Sequence, residues 1–258
     1  MGAGYEIFEG RIATWALEAH VADHCNLRCA NCCTLSPSLA PRLLSAADLA
    51  RDLALLRPVL APQVFKLTGG EPLLHPGLAE LAGVARASGI APEISVTTNG
   101  HLATRADPAL WRAIDRMTLS LYPSAPLPPA TLEFIRAHCE QHGIALRLKP
   151  APAFQVMDAP LPHADATQVF SDCWLRHRCH MVRDGRFYLC TRPPHLADLH
   201  DETALHDDGV ALPGPGLLPR LHGYLTRQEA LASCRLCMGA GGAAQQHRQL
   251  APQGPRNA

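Results

Sequence analysis

The sequence predicts an α/β fold. A mainly parallel sheet, open or curled into a partial barrel, carries helices on its outside, and a smaller cysteine-rich module follows it. Three observations lead to this expectation. Strand-like and helix-like segments alternate through residues 15–150, giving five strands. A proline-containing stretch after residue 150 breaks the alternation. The ten cysteines of the 258-residue chain fall into an early and a late group, with Cys139 alone between them.

Taken in order, "WALEAHVA" (15–22) reads as a strand that runs into "DHCNLRCANCC" (23–33). "SAADLARDLALLRP" (45–58) reads as a helix. Ser45 with Asp48 approximates a capping box, and Pro58 closes the segment. "VFKLTGG" (64–70) is a strand ending in glycines, and "GLAELAGVARASG" (77–89) is a helix closed by Gly89. "EISVTTNG" (93–100) is a strand ending in an Asn-Gly turn. "PALWRAIDR" (108–116), "MTLSLYP" (117–123), "PATLEFIRAHCEQHG" (129–143) and "IALRLKP" (144–150) continue as helix, strand, helix and strand. Sequential strand–helix units imply parallel pairing, with the chemistry gathered at the carboxyl ends of the strands. Residues 151–168 read as a connector and 169–238 as the cysteine-rich module. There, "CHMVRDGRFYLC" (179–190) signals a hairpin around Asp184-Gly185. The small, polar tail, 239–258, is expected to be disordered.

Composition limits the partners. Hydrophobic residues make up 47% and charged residues 18%, enough apolar material for a sizeable core. Lys+Arg and Asp+Glu both number 23, so no basic field exists to follow a nucleic-acid backbone, and nucleic acid is not an expected partner. No stretch is apolar for the length of a membrane span, and the first twenty residues lack a basic segment followed by an apolar one. The expected location is therefore the cytoplasm. Clustered thiols there bind metal or do redox work more often than they form disulfides.

Cys25, Cys29 and Cys32 are spaced Cys-x3-Cys-x2-Cys, so three thiolates can turn towards one centre. Structural zinc and iron–sulfur clusters normally take four protein ligands, and three would leave one position for a group that is not protein. Together with "GGEP" (Gly69–Pro72) at the end of the next strand, this loop resembles the cluster loop of the radical S-adenosylmethionine (SAM) superfamily. The resemblance covers about residues 12–150. It implies a partial (β/α)6 barrel, with Cys25, Cys29 and Cys32 holding a [4Fe–4S] cluster whose open iron binds SAM. It also implies that the edge Gly69, Gly70 and Glu71 meets the SAM amino group, with Glu71 suited to an ammonium. Thr98, Asn99, Ser120 and Tyr122 would meet the ribose and methionine portions. Asn31 stands where the family usually has an aromatic residue on the adenine. Cys33 and Cys139 are expected to be packing residues. Arg147 and Lys149 are candidates to pair a carboxylate of SAM or of substrate.

The later cysteines resemble the auxiliary-cluster module of the SPASM/twitch subgroup in its short, one-cluster form. On that resemblance, Cys190, Cys234 and Cys237 hold an auxiliary [4Fe–4S] cluster. A hairpin would set Cys179 opposite Cys190, whereas Cys173 fits the family spacing, so the fourth ligand stays open between Cys173 and Cys179. A zinc site built from the same thiolates is the alternative. The reaction implied is SAM cleavage to a 5′-deoxyadenosyl radical, hydrogen abstraction from a small sugar- or aminocyclitol-like molecule, and electron transfer to the auxiliary cluster. A flavodoxin or ferredoxin would be the electron donor. Maturation of a ribosomal peptide or of a partner enzyme is the alternative. With the first strand expected this early, a leader-binding domain is not expected ahead of it, and the small molecule is the favoured expectation, although a separate recognition protein could serve a peptide.

Overall fold

The computed structural model describes residues 5–251 other than 160, 161, 163 and 164. A short strand β1 (Ile7–Phe8) pairs antiparallel with β2 (Arg11–Ala22). Four strand–helix crossovers then follow: α1 (Ala46–Leu56), β3 (Leu60–Gly69), α2 (Leu78–Ser88), β4 (Glu93–Thr98), α3 (Leu110–Ala113), β5 (Arg116–Leu121), α4 (Pro129–Gln141) and β6 (Ala145–Pro150). Strands β2 to β6 lie parallel in sequence order, and the sheet does not close. This is the partial barrel expected from the alternation. Its helical side is filled by Leu17, Leu53, Phe65, Leu81, Ile94 and Met117, all fully or nearly fully buried.

Local signals explain most element boundaries. Ser45 caps α1, its hydroxyl accepting from the Asp48 amide at 3.0 Å. Gly89 ends α2 in the left-handed conformation. Strand β3 starts four residues before the expected Val64 and runs through Pro62. The reason is local: β4 joins β3 only from Val64, so at Pro62 the strand has β2 alone as neighbour and one side needs no amide. The third helix is shorter than expected, because Arg116 already pairs with Ser95 as the first residue of β5.

The remaining elements are β7 (Ala153–Gln155), α5 (Ala166–Asp172), β8 (Met181–Arg183), β9 (Arg186–Tyr188), α6 (Arg192–His200), β10 (Val210–Ala211), α7 (Leu217–Leu225) and β11 (Ala244–Gln246). Strands β8 and β9 form the expected hairpin, with Asp184 and Gly185 both at positive φ, as a two-residue primed turn requires. The hairpin extends the barrel sheet: β8 lies parallel to β2 through Glu18 and Met181. Within the expected connector, β7 pairs antiparallel with β11. One expectation is corrected here. The tail is ordered through residue 251, because its backbone finds partners far away in sequence; residues 252–258 lie outside the described residues.

Candidate active site

The carboxyl ends of β2 to β6 open into a cavity of about 280 Å³. Cys25, Cys29 and Cys32 line it together with Gly69, Gly70, Thr98, Asn99, Ser120 and Tyr122. The fold thus brings together most of the residues singled out for SAM and its cluster. The two glycines have a steric cause. Amides of Gly70 and Glu71 donate to the carbonyls of Ala22 and His24 at 2.7 and 3.0 Å, zipping the end of β3 to the start of the cysteine loop. A Cβ on Gly70 would sit 2.2 Å from the His24 carbonyl oxygen, and Gly69 adopts φ +132°.

The cysteine loop is wired to its neighbours through sulfur. The Leu27 amide donates to Cys25 Sγ at 3.4 Å, and Gln249 Nε2 donates to Cys29 Sγ at 3.3 Å. Asn99 Nδ2 donates to Asn26 Oδ1 at 2.8 Å, tying the end of β4 to the loop. Burial pushes the thiol of Cys25 up to about 12 and that of Cys29 up to about 11. Without a cation the loop therefore holds protons, and a metal must displace them.

Two of the expected SAM contacts lie elsewhere. Glu71 is 1% exposed and does not line the cavity. Its oxygens accept from Thr98 Oγ1 at 2.5 Å, the Asn99 amide at 2.8 Å and the Leu73 amide at 2.9 Å. The carboxylate thus joins the ends of β3 and β4. Burial raises its carboxyl to about 7 against these three donors. Asn31 also stays out of the cavity, donating from Nδ2 to Gln245 Oε1 at 3.0 Å.

The cavity is also lined by side chains that the motifs did not indicate, Glu18 and His20 on β2 and Lys66 on β3. Lys149 of β6, a candidate carboxylate partner, lines it as well. Glu18 is 3.8 Å from Lys66 and 3.5 Å from His20. Alternation along β2 could have signalled them, since a polar residue at every second position of a buried strand marks a lumen. Cys33 lines the same cavity rather than packing into the core. Cys139 is buried in α4, as expected.

The late cysteines divide. Cys173, Cys190, Cys234 and Cys237 surround a second cavity of about 30 Å³, walled by Met157, Val169 and Phe170. Cys173 ends α5, and Cys190 follows β9. Cys234 sits on a turn held by Asp208, whose carboxylate accepts from the Ala232 and Ser233 amides at 2.8 and 2.7 Å. Burial pushes the Cys190 thiol well up, and the other three sulfurs add to the effect. Cys179 is not in this group. The paired hairpin ends at Met181 and Tyr188, and beyond it Cys179 turns into the first cavity, beside Glu18 and Lys66.

Neither sulfur set is closed up tightly enough for one tetrahedral ion. Among the described residues no three cysteine sulfurs lie mutually within 4.8 Å. Four thiolates on one zinc at about 2.3 Å would stand roughly 3.8 Å apart.

Comparison with known proteins agrees with this geometry. The family described as the Radical SAM superfamily matches residues 20–138. Over that segment, a little under half of its length, the chain is similar to the radical SAM superfamily. Curated relatives include GTP 3′,8-cyclase of Mycobacterium marinum, 40% identical over 43% of this chain and 32% of its own length. The GTP 3′,8-cyclase of Streptomyces coelicolor is 37% identical over 43% of this chain and 34% of its own. This chain thus spans about a third of the length of these relatives. A solved structure of BtrN with AdoMet and 2-DOIA is similar in fold, with TM-score 0.52 and 13% identity over 88% of this chain and 94% of that one. No helix among the described residues is long and apolar enough to cross a membrane.

Proposed function

We propose that the protein is a radical SAM oxidoreductase of the SPASM/twitch type that oxidises a small polar molecule, with Cys173, Cys190, Cys234 and Cys237 as ligands of one auxiliary [4Fe–4S] cluster. The observation that carries this is the presence of two separate sulfur sets, three cysteines on the main cavity and four around their own. When bound, the first cluster and SAM supply a 5′-deoxyadenosyl radical that takes a hydrogen atom from the substrate.

The chain's own residues bind and orient. Gly69 and Gly70 present backbone to the amino-acid portion of SAM, and Thr98, Asn99, Ser120 and Tyr122 line the path of its ribose. Glu18, Lys66 and Lys149 give the deeper cavity both signs of charge, which suits hydroxyl, amino or acid groups of a sugar- or aminocyclitol-like substrate better than an apolar one. Loss of a hydrogen atom and then of an electron and a proton makes a two-electron oxidation. A cluster held by Cys173, Cys190, Cys234 and Cys237 would accept the electron, and Glu18 and His20 are the bases on the cavity wall. A flavodoxin or ferredoxin supplies the reducing electron in the cytoplasm.

The test separates the two sites. With dithionite and SAM, Cys29→Ala should form no 5′-deoxyadenosine, whereas Cys234→Ala should still form it. With the true substrate, one 5′-deoxyadenosine and one methionine should form per oxidised product, and Cys234→Ala should make none. Normal product from Cys234→Ala would remove the electron-acceptor role.

A further inference from the structure

The C-terminal segment 244–250 lies across the cysteine loop. Strand β11 pairs with β7 through Ala244, Gln245 and Gln246. Gln249 then forms an antiparallel bridge with Cys29. The Ala30 amide donates to the Arg248 carbonyl at 3.0 Å, and the Leu250 amide donates to the Arg28 carbonyl at 2.7 Å. Between these, His247 stacks on Tyr122 with ring centroids 4.6 Å apart, and it is hydrogen-bonded to Ser124 at 2.8 Å. A segment of small and polar residues is held in place by main-chain bonds to the loop that carries the thiols.

The Gln249 side chain has a double engagement. Its Oε1 accepts from the Arg28 amide at 2.7 Å, and its Nε2 donates to Cys29 Sγ at 3.3 Å. An amide carries its donor and its acceptor on separate atoms, so it can do both at once. A donor on a ligating sulfur draws off negative charge. A reduced cluster carries one more electron than an oxidised one, so the donor favours reduction.

We propose that the segment 244–250 is a built part of the cofactor site, in which Gln249 is a positioning residue that orders the cysteine loop through Arg28 and raises the reduction potential of the first cluster through Cys29. The proposal rests on the reading of Cys25, Cys29 and Cys32 as ligands of that cluster, and it holds for any substrate.

Two substitutions separate the two engagements. Gln249→Glu retains an acceptor for Arg28 and loses the donor to sulfur. Gln249→Leu loses both. Redox titration followed by electron paramagnetic resonance on the reconstituted holoenzyme should show both variants harder to reduce. A tenfold loss in the reduction equilibrium would be about 59 mV for one electron. Hydrogen exchange on the metal-free chain supplies a readout that needs no cluster. The Arg28 amide should lose protection in Gln249→Leu and keep it in Gln249→Glu. Wild-type potential in both variants, or unchanged Arg28 protection in Gln249→Leu, overturns the proposal. Wild-type protein that binds no iron at the first site would instead refute the ligand assignment, leaving the exchange result to judge the segment.

Discussion

Glu71 is a motif residue whose carboxylate holds two strand ends together. Three donors converge on a carboxylate that is 1% exposed, and burial still raises it to about 7 from 4.5. A carboxyl with a raised folded pKa binds its proton more tightly in the folded chain. Its contribution is therefore fully present below about pH 4.5 and is lost as pH rises through about 7. Glu71→Gln should flatten that part of the stability–pH curve between pH 5 and 8, read as thermal midpoints of both proteins across the range. An identical pH slope in the variant would contradict the assignment. Gly70 makes a sharper case. With a Cβ only 2.2 Å from the His24 carbonyl, Gly70→Ala must push β3 and the cysteine loop apart. A cost of about 3 kcal/mol is expected, with loss of iron from the first site. Urea unfolding and iron analysis of the variant measure both.

At the scale of elements, the hairpin joins the module to the barrel. Arg183 of β8 donates to Asp23 at 2.7 Å, just before the cysteine loop, and to Asp198 of α6 at 2.6 Å. Asp23 is 4% exposed, so Arg183→Met would leave a buried carboxylate unpaired. A loss of about 3–5 kcal/mol in unfolding free energy follows. His20 and His195, hydrogen-bonded at 2.7 Å, cross the same joint. The elements of the barrel were legible in the sequence because their cues are local: Ser45 caps, Gly89 stops, and apolar runs alternate. The loop and glycine motifs were legible for the same reason, being contiguous. The choice between Cys173 and Cys179 was not. It depends on where the chain turns beyond the paired hairpin, which spacing alone does not encode. The ordered tail was equally hidden, because β11 gains its structure from a partner about ninety residues earlier rather than from its own composition.

Across the whole molecule, the design is a half-open barrel that gathers polar side chains in its lumen, with a module that brings a second sulfur set on its own cavity. The charges inside the barrel were missed from sequence because Glu18, His20 and Lys66 belong to no contiguous motif, although alternation along β2 marks the first two. Only the pleat turns them to one side. The central claim is that three cysteines and four cysteines form two separate cluster sites, with Cys179 belonging to neither. Iron per chain after anaerobic reconstitution tests it most directly, measured for the wild type, Cys173→Ala and Cys179→Ala. Each cubane contributes about four irons, so the account predicts about eight for the wild type, about four for Cys173→Ala and about eight for Cys179→Ala. About four irons in the wild type with zinc making up the difference, or a loss of iron in Cys179→Ala with none in Cys173→Ala, would contradict it.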